Sequence, residues 1–153
     1  MTEVRRRFAL IVSEFNRDIT EQLLAGARDC LREHGVPEED LLVVRVPGAW
    51  ELPLVAQKIA GGGNVDAVIA IGCVIRGETS HFDYVCRGAA DGLGRVALDA
   101  GVPVLFGVLT ADTAEQAWAR AGGPGGNKGR EAARAALDMV RVVAELEGAD
   151  ARA

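Results

Sequence analysis

Residues that could bind an anion and move a proton stand together in the segment RGETSH, residues 76–81. Thr79 and Ser80 carry the hydroxyl groups that often cap helices, and Asp83 follows Ser80 at the spacing of a capping box. His81 then falls in the first helical turn, where free backbone amides and the helix dipole favour an anion such as phosphate. An imidazole can accept and return a proton near neutral pH. The segment therefore predicts a phosphate subsite beside a proton-transfer group; the alternative is a purely structural turn with a solvated histidine.

Further binding side chains follow the other predicted strands. They comprise two aromatic rings, an amide, a carboxylate and two cations, namely Phe15, Asn16, Trp50, Glu51, Arg120 and Lys128. The carboxyl ends of parallel strands share one edge of an open α/β sheet and form its usual ligand crevice. These groups suit a flat polar heterocycle and a phosphorylated partner. The residues alone do not name the reaction.

Four apolar runs of strand length position these residues. They are FALIVS at 8–13, LLVVRV at 41–46, the run from Ala67 to the residue before Arg76, and PVLFGVL at 103–109. Segments with helical spacing separate them and end the chain. Alternation of this kind, with right-handed crossovers, predicts an α/β fold with a doubly wound parallel sheet and helices on both faces.

Three local patterns predict the start of the first helix, the role of His34 and the structure of the glycine-rich joint. Asp18 and Glu21 have capping-box spacing, so the first helix is expected to begin at Asp18. His34 falls in the last turn of that helix, where a cationic imidazole would have a structural role at the dipole's negative end. The glycine-rich joint 122–129 is either a flexible kink between helices or the position of a ligand, Lys128.

Composition excludes several classes of protein. The chain has 153 residues, of which 49% are hydrophobic and 25% are charged, with a formal net charge of −5, so we expect one domain spanning 1–153. The largest basic cluster is Arg5–Arg7, which disfavours nucleic acid as a partner. The sequence shows neither an apolar run near the ~20 residues that span a bilayer nor a signal peptide. We therefore expect a soluble, cytoplasmic protein.

Known metal and nucleotide motifs are missing from the sequence. Cys30, Cys73 and Cys86 form no CxxC pair and do not cluster with the two histidines, so we expect reduced thiols and no metal. The first strand-to-helix loop has no GxGxxG turn. The joint 122–129 lacks the GK[ST] ending of a phosphate-binding P-loop. Neither a dinucleotide site nor a Walker site is indicated.

Five motifs in the same order carry a resemblance to a known family. They are FN within SEFN, VPGAWELP, IGCVIRGETSHFDYV, PVLFGVLTADT, and RAG followed by GNKG. With these motifs the chain resembles the 6,7-dimethyl-8-ribityllumazine synthase family over nearly its whole length. That resemblance implies a flavodoxin-like three-layer fold. It also implies condensation of 5-amino-6-(D-ribitylamino)uracil with 3,4-dihydroxy-2-butanone 4-phosphate, without a cofactor, in the penultimate step of riboflavin biosynthesis.

The resemblance implies a pyrimidine subsite in which Phe15 stacks on the ring and Glu51 accepts hydrogen bonds from ribityl hydroxyls. The other residues that it assigns to substrate binding here are Asn16, Ala49, Trp50, Cys73, Val74 and Ile75. It places Glu78 and Thr79 at the phosphate and makes His81 the proton-transfer residue. Three residues would come from a neighbouring subunit, with the arginine as the main phosphate partner: Phe106, Arg120 and Lys128.

The resemblance also implies a homopentamer, in which neighbouring subunits complete one another's sites. The residues leave open whether pentamers build an icosahedral shell, as many family members do, and whether a riboflavin synthase is enclosed. Two other functions also remain open, a non-catalytic shell protein that binds flavin or lumazine and a riboflavin synthase of the archaeal type. Dismutation of the lumazine product would identify the second alternative.

Overall fold

A computed structural model describes residues 5–152, with side chains described for residues 5–148; the outermost ends of the predicted 1–153 domain lie outside this range. Within the described residues, four parallel strands form one sheet in the order β2-β1-β3-β4. The strands are β1 (Phe8–Ser13), β2 (Leu41–Val46), β3 (Ala67–Ile75) and β4 (Val104–Ala111). The first three match their predicted bounds, and β4 begins one residue later and ends two residues later than predicted.

Helices cover both faces of this sheet. In the described part of the chain they are α1 (Arg17–Glu33), α2 (Leu52–Gly61), α3 (His81–Ala100), α4 (Ala114–Ala119) and α5 (Lys128–Arg152). One apolar cluster joins α1, α4 and α5 to the sheet, and a second joins α2 and α3 to its other face. The predicted doubly wound, three-layer α/β fold is confirmed. None of the helices described here is both long and apolar enough to cross a membrane.

The two central strands are buried on both faces. Along β1, Leu10 and Val12 enter the cluster with α1 and α5, whereas Ala9 and Ile11 enter the cluster with α2 and α3. This alternation follows from the period of two along a strand, and it explains why β1 and β3 are continuous apolar runs. Strand β2 lies at the sheet edge, because it pairs only with β1 and leaves Leu42 47% exposed.

The first helix does not begin with the predicted capping box. Asn16 occupies the N-cap position and α1 starts at Arg17, so Asp18 already lies inside the first turn. Glu21 accepts a hydrogen bond from Arg45 on β2 at 2.7 Å instead of reaching back to the helix start. The carboxylate of Glu21, which the local spacing predicted as part of a helix cap, therefore forms a tertiary ion pair instead.

His34 has the structural role that was predicted. It is the C-cap of α1, its Nδ1 lies 2.8 Å from the carbonyl oxygen of Cys30, and its Nε2 lies 2.9 Å from a guanidinium nitrogen of Arg134. These contacts fix the ring at the end of α1 and link it to α5.

The glycine-rich joint is an ordered hairpin, so its interpretation as a flexible kink was wrong. Strands β5 (Ala121–Gly123) and β6 (Gly126–Asn127) pair antiparallel, and Gly122 and Gly126 supply positive φ angles of 103° and 87°. Asn127 fixes the hairpin to α1 by donating from Nδ2 to the carbonyl oxygen of Gln22 at 3.0 Å. The hairpin therefore delivers α5 to a defined position against α1.

The contact between α1 and α5 requires a glycine at position 129. A Cβ atom at Gly129 would lie 2.0 Å from the carbonyl oxygen of Leu23, a backbone atom that cannot move without displacing α1. We expect Gly129→Ala to lower the free energy of unfolding by about 2–3 kcal/mol through overpacking.

Gly94→Ala is the matched control, because a Cβ at Gly94 in α3 meets nothing within 4 Å. The greater helix propensity of alanine should raise stability there by up to about 1 kcal/mol. Denaturant unfolding at one fixed protein concentration measures both variants. Equal stabilities would contradict the close approach at Gly129.

Candidate active site

A cleft of about 750 Å³ lies at the carboxyl ends of β1, β2 and β3 and the start of α3. It collects most of the residues that the sequence predicts for a site: Phe15, Ala49, Trp50, Glu51, Cys73, Val74, Ile75, Thr79 and His81. The strands place these residues together because parallel strands end at the same sheet edge. A volume of this size suits small-molecule substrates.

The loop after β1 presents Phe15 to the cleft. The amides of Glu14 and Phe15 donate to the carbonyl oxygens of Val46 at 2.8 Å and Pro47 at 3.0 Å, so the backbone stays paired beyond the end of β1. The ring of Phe15 is nevertheless 70% exposed. An aromatic face held by its backbone and open to solvent can stack on a flat heterocycle.

The turn after β2 carries Trp50 and Glu51. Residues Ala49–Glu51 form a short 3₁₀ turn, closed by a hydrogen bond from the Glu51 amide to the carbonyl oxygen of Gly48 at 3.2 Å. Trp50 lies directly against α3, because a Cβ atom at Gly88 would lie only 2.1 Å from its ring. Gly88 therefore sets how closely this wall of the cleft approaches α3.

The end of β3 forms the floor of the cleft. Cys73 borders the cleft but is only 2% exposed, and it belongs to the apolar cluster on the α1 face of the sheet. Burial raises the pKa of the Cys73 thiol to about 11. Cys73 therefore does not present a reactive sulfur to the cleft.

Arg76 fastens the segment between β3 and α3. Its guanidinium donates to Asp112 at 2.8 Å, lies 3.5 Å from Asp83 and sits 4.4 Å from the centroid of the Phe82 ring. The hydrogen bond to Asp112 raises the pKa of Arg76 above its ordinary value, and the charge of Asp83 adds to this. These contacts link the first turn of α3, and His81 with it, to the loop after β4.

His81 is the first residue of α3, as predicted, but the predicted capping box is absent. Ser80 makes no side-chain cap, and Asp83 pairs with Arg76 instead of reaching back to the helix start. The amide of His81 donates to Thr79 Oγ1 at 3.4 Å. The imidazole is exposed and lines the cleft beside Thr79, so a bound molecule could exchange a proton with it.

The remaining predicted site residues do not line this cleft; they are Asn16, Glu78, Phe106, Arg120 and Lys128. Phe106 packs with the cluster under α2 and α3, and Glu78 is exposed in the segment before α3. Arg120 ends α4, where it is exposed and has no ion-pair partner among residues 5–148. The backbone oxygen of Arg120 accepts a hydrogen bond from the Lys128 amide at 2.8 Å. The two residues therefore lie together at the base of the hairpin, next to α1.

Sequence reasoning missed other lining residues, namely Pro47, Gly48, Gly77, Phe82, Tyr84 and Val85. Val85 follows His81 by four residues, a spacing that predicts a shared helix face. Tyr84 is 72% exposed, and no sequence signal distinguishes it from a solvated aromatic residue. Across residues 5–148, no group of three or more His, Cys, Asp and Glu side chains could hold a metal ion.

Comparison with known proteins identifies the family to which the chain is similar. The chain matches the family model of 6,7-dimethyl-8-ribityllumazine synthase over residues 5–144. It is also similar to a 6,7-dimethyl-8-ribityllumazine synthase of Salinibacter ruber (strain DSM 13855 / M31), with 57% identity over 142 residues. That alignment covers 93% of this chain and 91% of the relative.

The burial of Cys73 predicts a ranking of thiol reactivity. With a pKa of about 11, only about one Cys73 thiol in a thousand is ionised at pH 8, and its sulfur is also shielded. Burial raises the pKa of Cys86 as well, but this residue is only half-buried. We expect iodoacetamide to modify Cys86 well before Cys73 in the folded protein, as measured by peptide mass spectrometry. Alkylation in guanidinium, where all thiols become accessible, is the control, and faster modification of Cys73 in the native protein would contradict its burial.

Proposed function

The chain belongs to the 6,7-dimethyl-8-ribityllumazine synthase family, and we propose how its cleft carries out the reaction of that family. The enzyme is a transferase that condenses 5-amino-6-(D-ribitylamino)uracil with 3,4-dihydroxy-2-butanone 4-phosphate. The products are 6,7-dimethyl-8-ribityllumazine, phosphate and water, in the penultimate step of riboflavin biosynthesis. The observation that carries the assignment of the site is the cleft that brings Phe15, Glu51 and His81 together.

The pyrimidine substrate binds between Phe15 and the floor formed by the end of β3. The exposed ring of Phe15 stacks on the pyrimidine, while backbone groups of Cys73, Val74 and Ile75 bind its polar edge. Glu51 accepts hydrogen bonds from the ribityl hydroxyls, which a carboxylate can do at both oxygens. Ala49 and Trp50 complete the wall along the ribityl chain.

His81 moves protons through the three stages of the condensation. The 5-amino group attacks the ketone and an imine forms with loss of water, phosphate leaves by elimination, and the ribitylamino nitrogen closes the ring with loss of a second water. Each stage needs a proton taken from one atom and returned to another, which an imidazole in the cleft can supply. The rest of the acceleration comes from holding two reactants in reacting geometry.

The phosphate of the second substrate binds at Thr79 and Glu78, before the start of α3. Within the described part of the chain, the residues lining the cleft include no lysine or arginine, and nearby Arg76 is already engaged by two carboxylates. A phosphate held there needs a cation from elsewhere. We assign this role to Arg120 of a neighbouring subunit, which would also supply Lys128 and Phe106, because Arg120 is exposed and lies outside its own cleft.

The proposed assembly is a homopentamer of single-domain subunits that completes five such sites. Three aromatic rings along the cleft are strongly exposed in the isolated chain, Phe15 at 70%, Trp50 at 61% and Tyr84 at 72%. Contact with a neighbouring subunit and with substrate would cover them. A shell of pentamers, an enclosed riboflavin synthase and a cytoplasmic location stay predictions from the resemblance and the sequence.

The first test is the reaction itself. Mixing the two substrates with the enzyme should produce lumazine, detected by its fluorescence, and phosphate in equal molar amounts.

Because His81 contributes proton transfer but not substrate positioning, His81→Ala should lower kcat by ~10²-fold without abolishing turnover. His34→Gln is the matched control, since His34 lies at the end of α1 and away from the lining of the cleft. Full activity of His81→Ala would remove His81 from the mechanism, and dismutation of added lumazine would identify a riboflavin synthase instead.

The second test asks whether Arg120 acts between subunits. His81→Ala and Arg120→Ala chains should each be impaired alone. In a 1:1 mixed assembly, a site with an intact histidine can meet an intact arginine from the next chain, which restores about a quarter of the sites. Activity measured after co-refolding should therefore exceed that of both parent variants.

A mixture no more active than its parents would contradict the shared site, because both residues would then have to come from one chain. Arg120→Ala mixed with wild-type chains provides the control for exchange of subunits. Analytical ultracentrifugation of the same samples measures the assembly, and an active monomer would overturn the pentamer.

A further inference from the structure

We propose that Asn16 is a positioning residue that holds Phe15 in stacking orientation, an inference that rests on the proposed function. The bond that does this joins its side-chain amide to the carbonyl oxygen of Cys73 at 2.9 Å. Asn16 itself does not line the cleft. It acts on the pyrimidine substrate through the ring next to it in sequence.

The backbone of Asn16 has a left-handed conformation, with φ 61° and ψ 45°. It is the only residue other than glycine with a positive φ among residues 5–152. Asparagine tolerates this conformation better than most side chains, although glycine adopts it more readily still. The turn reverses the chain directly after Phe15 and starts α1.

The side chain of Asn16 does not perform the usual task of an asparagine at a helix start. An N-cap asparagine normally accepts a hydrogen bond from an amide in the first turn, whereas here no side-chain cap is formed. Backbone pairing between β1 and β3 ends with Val12 opposite Ile71. The Asn16 amide bonds to Cys73 two residues further along β3, so it extends the link between these strand ends after β1 has turned away.

Phe15 is therefore held by two anchors and by little packing. Its own amide donates to Pro47, at the end of β2, and the next residue donates to Cys73, at the end of β3. Because the ring is 70% exposed, side-chain contacts within the chain do not fix its orientation. Releasing the Cys73 anchor should let the loop move and weaken stacking.

A double-mutant cycle between Asn16 and Phe15 tests this role. The variants are Asn16→Gly, which keeps the left-handed turn and removes the amide, Phe15→Ala, and the double variant. The readouts are the Kd for 6,7-dimethyl-8-ribityllumazine by fluorescence titration and KM and kcat for the pyrimidine. Asn64→Gly is the matched control, because Asn64 is an exposed asparagine in the turn before β3.

We expect Asn16→Gly to raise Kd and KM by about 3- to 10-fold, the equivalent of one hydrogen bond, with a smaller change in kcat. In the Phe15→Ala background the same substitution should have almost no further effect. Asn16→Asp should resemble Asn16→Gly, because aspartate tolerates the turn but its carboxylate cannot donate to Cys73.

Several results would overturn the inference. Additive effects in the cycle would mean that Asn16 contacts the substrate independently of Phe15. If Asn16→Gly changes the free energy of unfolding but not the Kd, the bond from Asn16 to Cys73 has only a structural role. If Asn16→Asp behaves like the wild type, the side-chain amide of Asn16 is not needed to position Phe15. A wild-type protein that binds lumazine without condensing the substrates would defeat the proposed reaction alone, since the binding cycle still decides the role of Asn16. Absence of lumazine binding would defeat both.

Discussion

Burial of β1 and β3 on both faces is the constraint on which the rest of the structure depends. Each strand has one apolar cluster above it and another below, so nearly every side chain along it is apolar. Burying an unpaired polar or charged group there would be costly. Polar chemistry is thereby confined to the points where the strands end. Parallel pairing then gathers these ends at a single edge, which is where Phe15, Glu51 and His81 meet.

The charges near the cleft support our proposal that the site is completed by a neighbouring subunit. Arg76 is the cation nearest to His81 in sequence, yet its guanidinium is shared between Asp83 and Asp112 and rests on the Phe82 ring. It stabilises the start of α3 and has little capacity left for a substrate phosphate. Arg120 has the opposite character, exposed and without an ion-pair partner among residues 5–148. In the proposed assembly, Arg76 builds the chain's own site and Arg120 is available for a phosphate bound on a neighbouring subunit.

Sequence predicted the strands closely because their signal is local and strong. FALIVS and LLVVRV have the length and the β-branched residues typical of buried strands, and His81 follows the central run. The helix caps were wrong for a physical reason: Glu21 and Asp83 have capping spacing, but Arg45 and Arg76 offer charged partners that only the fold brings near. The contact of Trp50 with Gly88 and the hairpin after α4 likewise depend on distant packing. Spacing determines what a side chain could reach, and tertiary neighbours decide what it does reach.

The same reasoning explains why unfavourable features gather around the cleft. An asparagine in the left-handed region and three exposed aromatic rings each lower stability relative to a relaxed, buried alternative. The left-handed turn and the exposed Phe15 persist because the loop is held from both sides, by the Phe15 amide donating to the carbonyl oxygen of Pro47 and by the Asn16 side-chain amide donating to that of Cys73. A loop held in this way loses little backbone conformational entropy when a pyrimidine stacks on Phe15, so more of the stacking energy is available for binding. The left-handed backbone of Asn16 thus has a stability cost, and in the proposed site that cost is offset because the loop is held in place before the substrate binds.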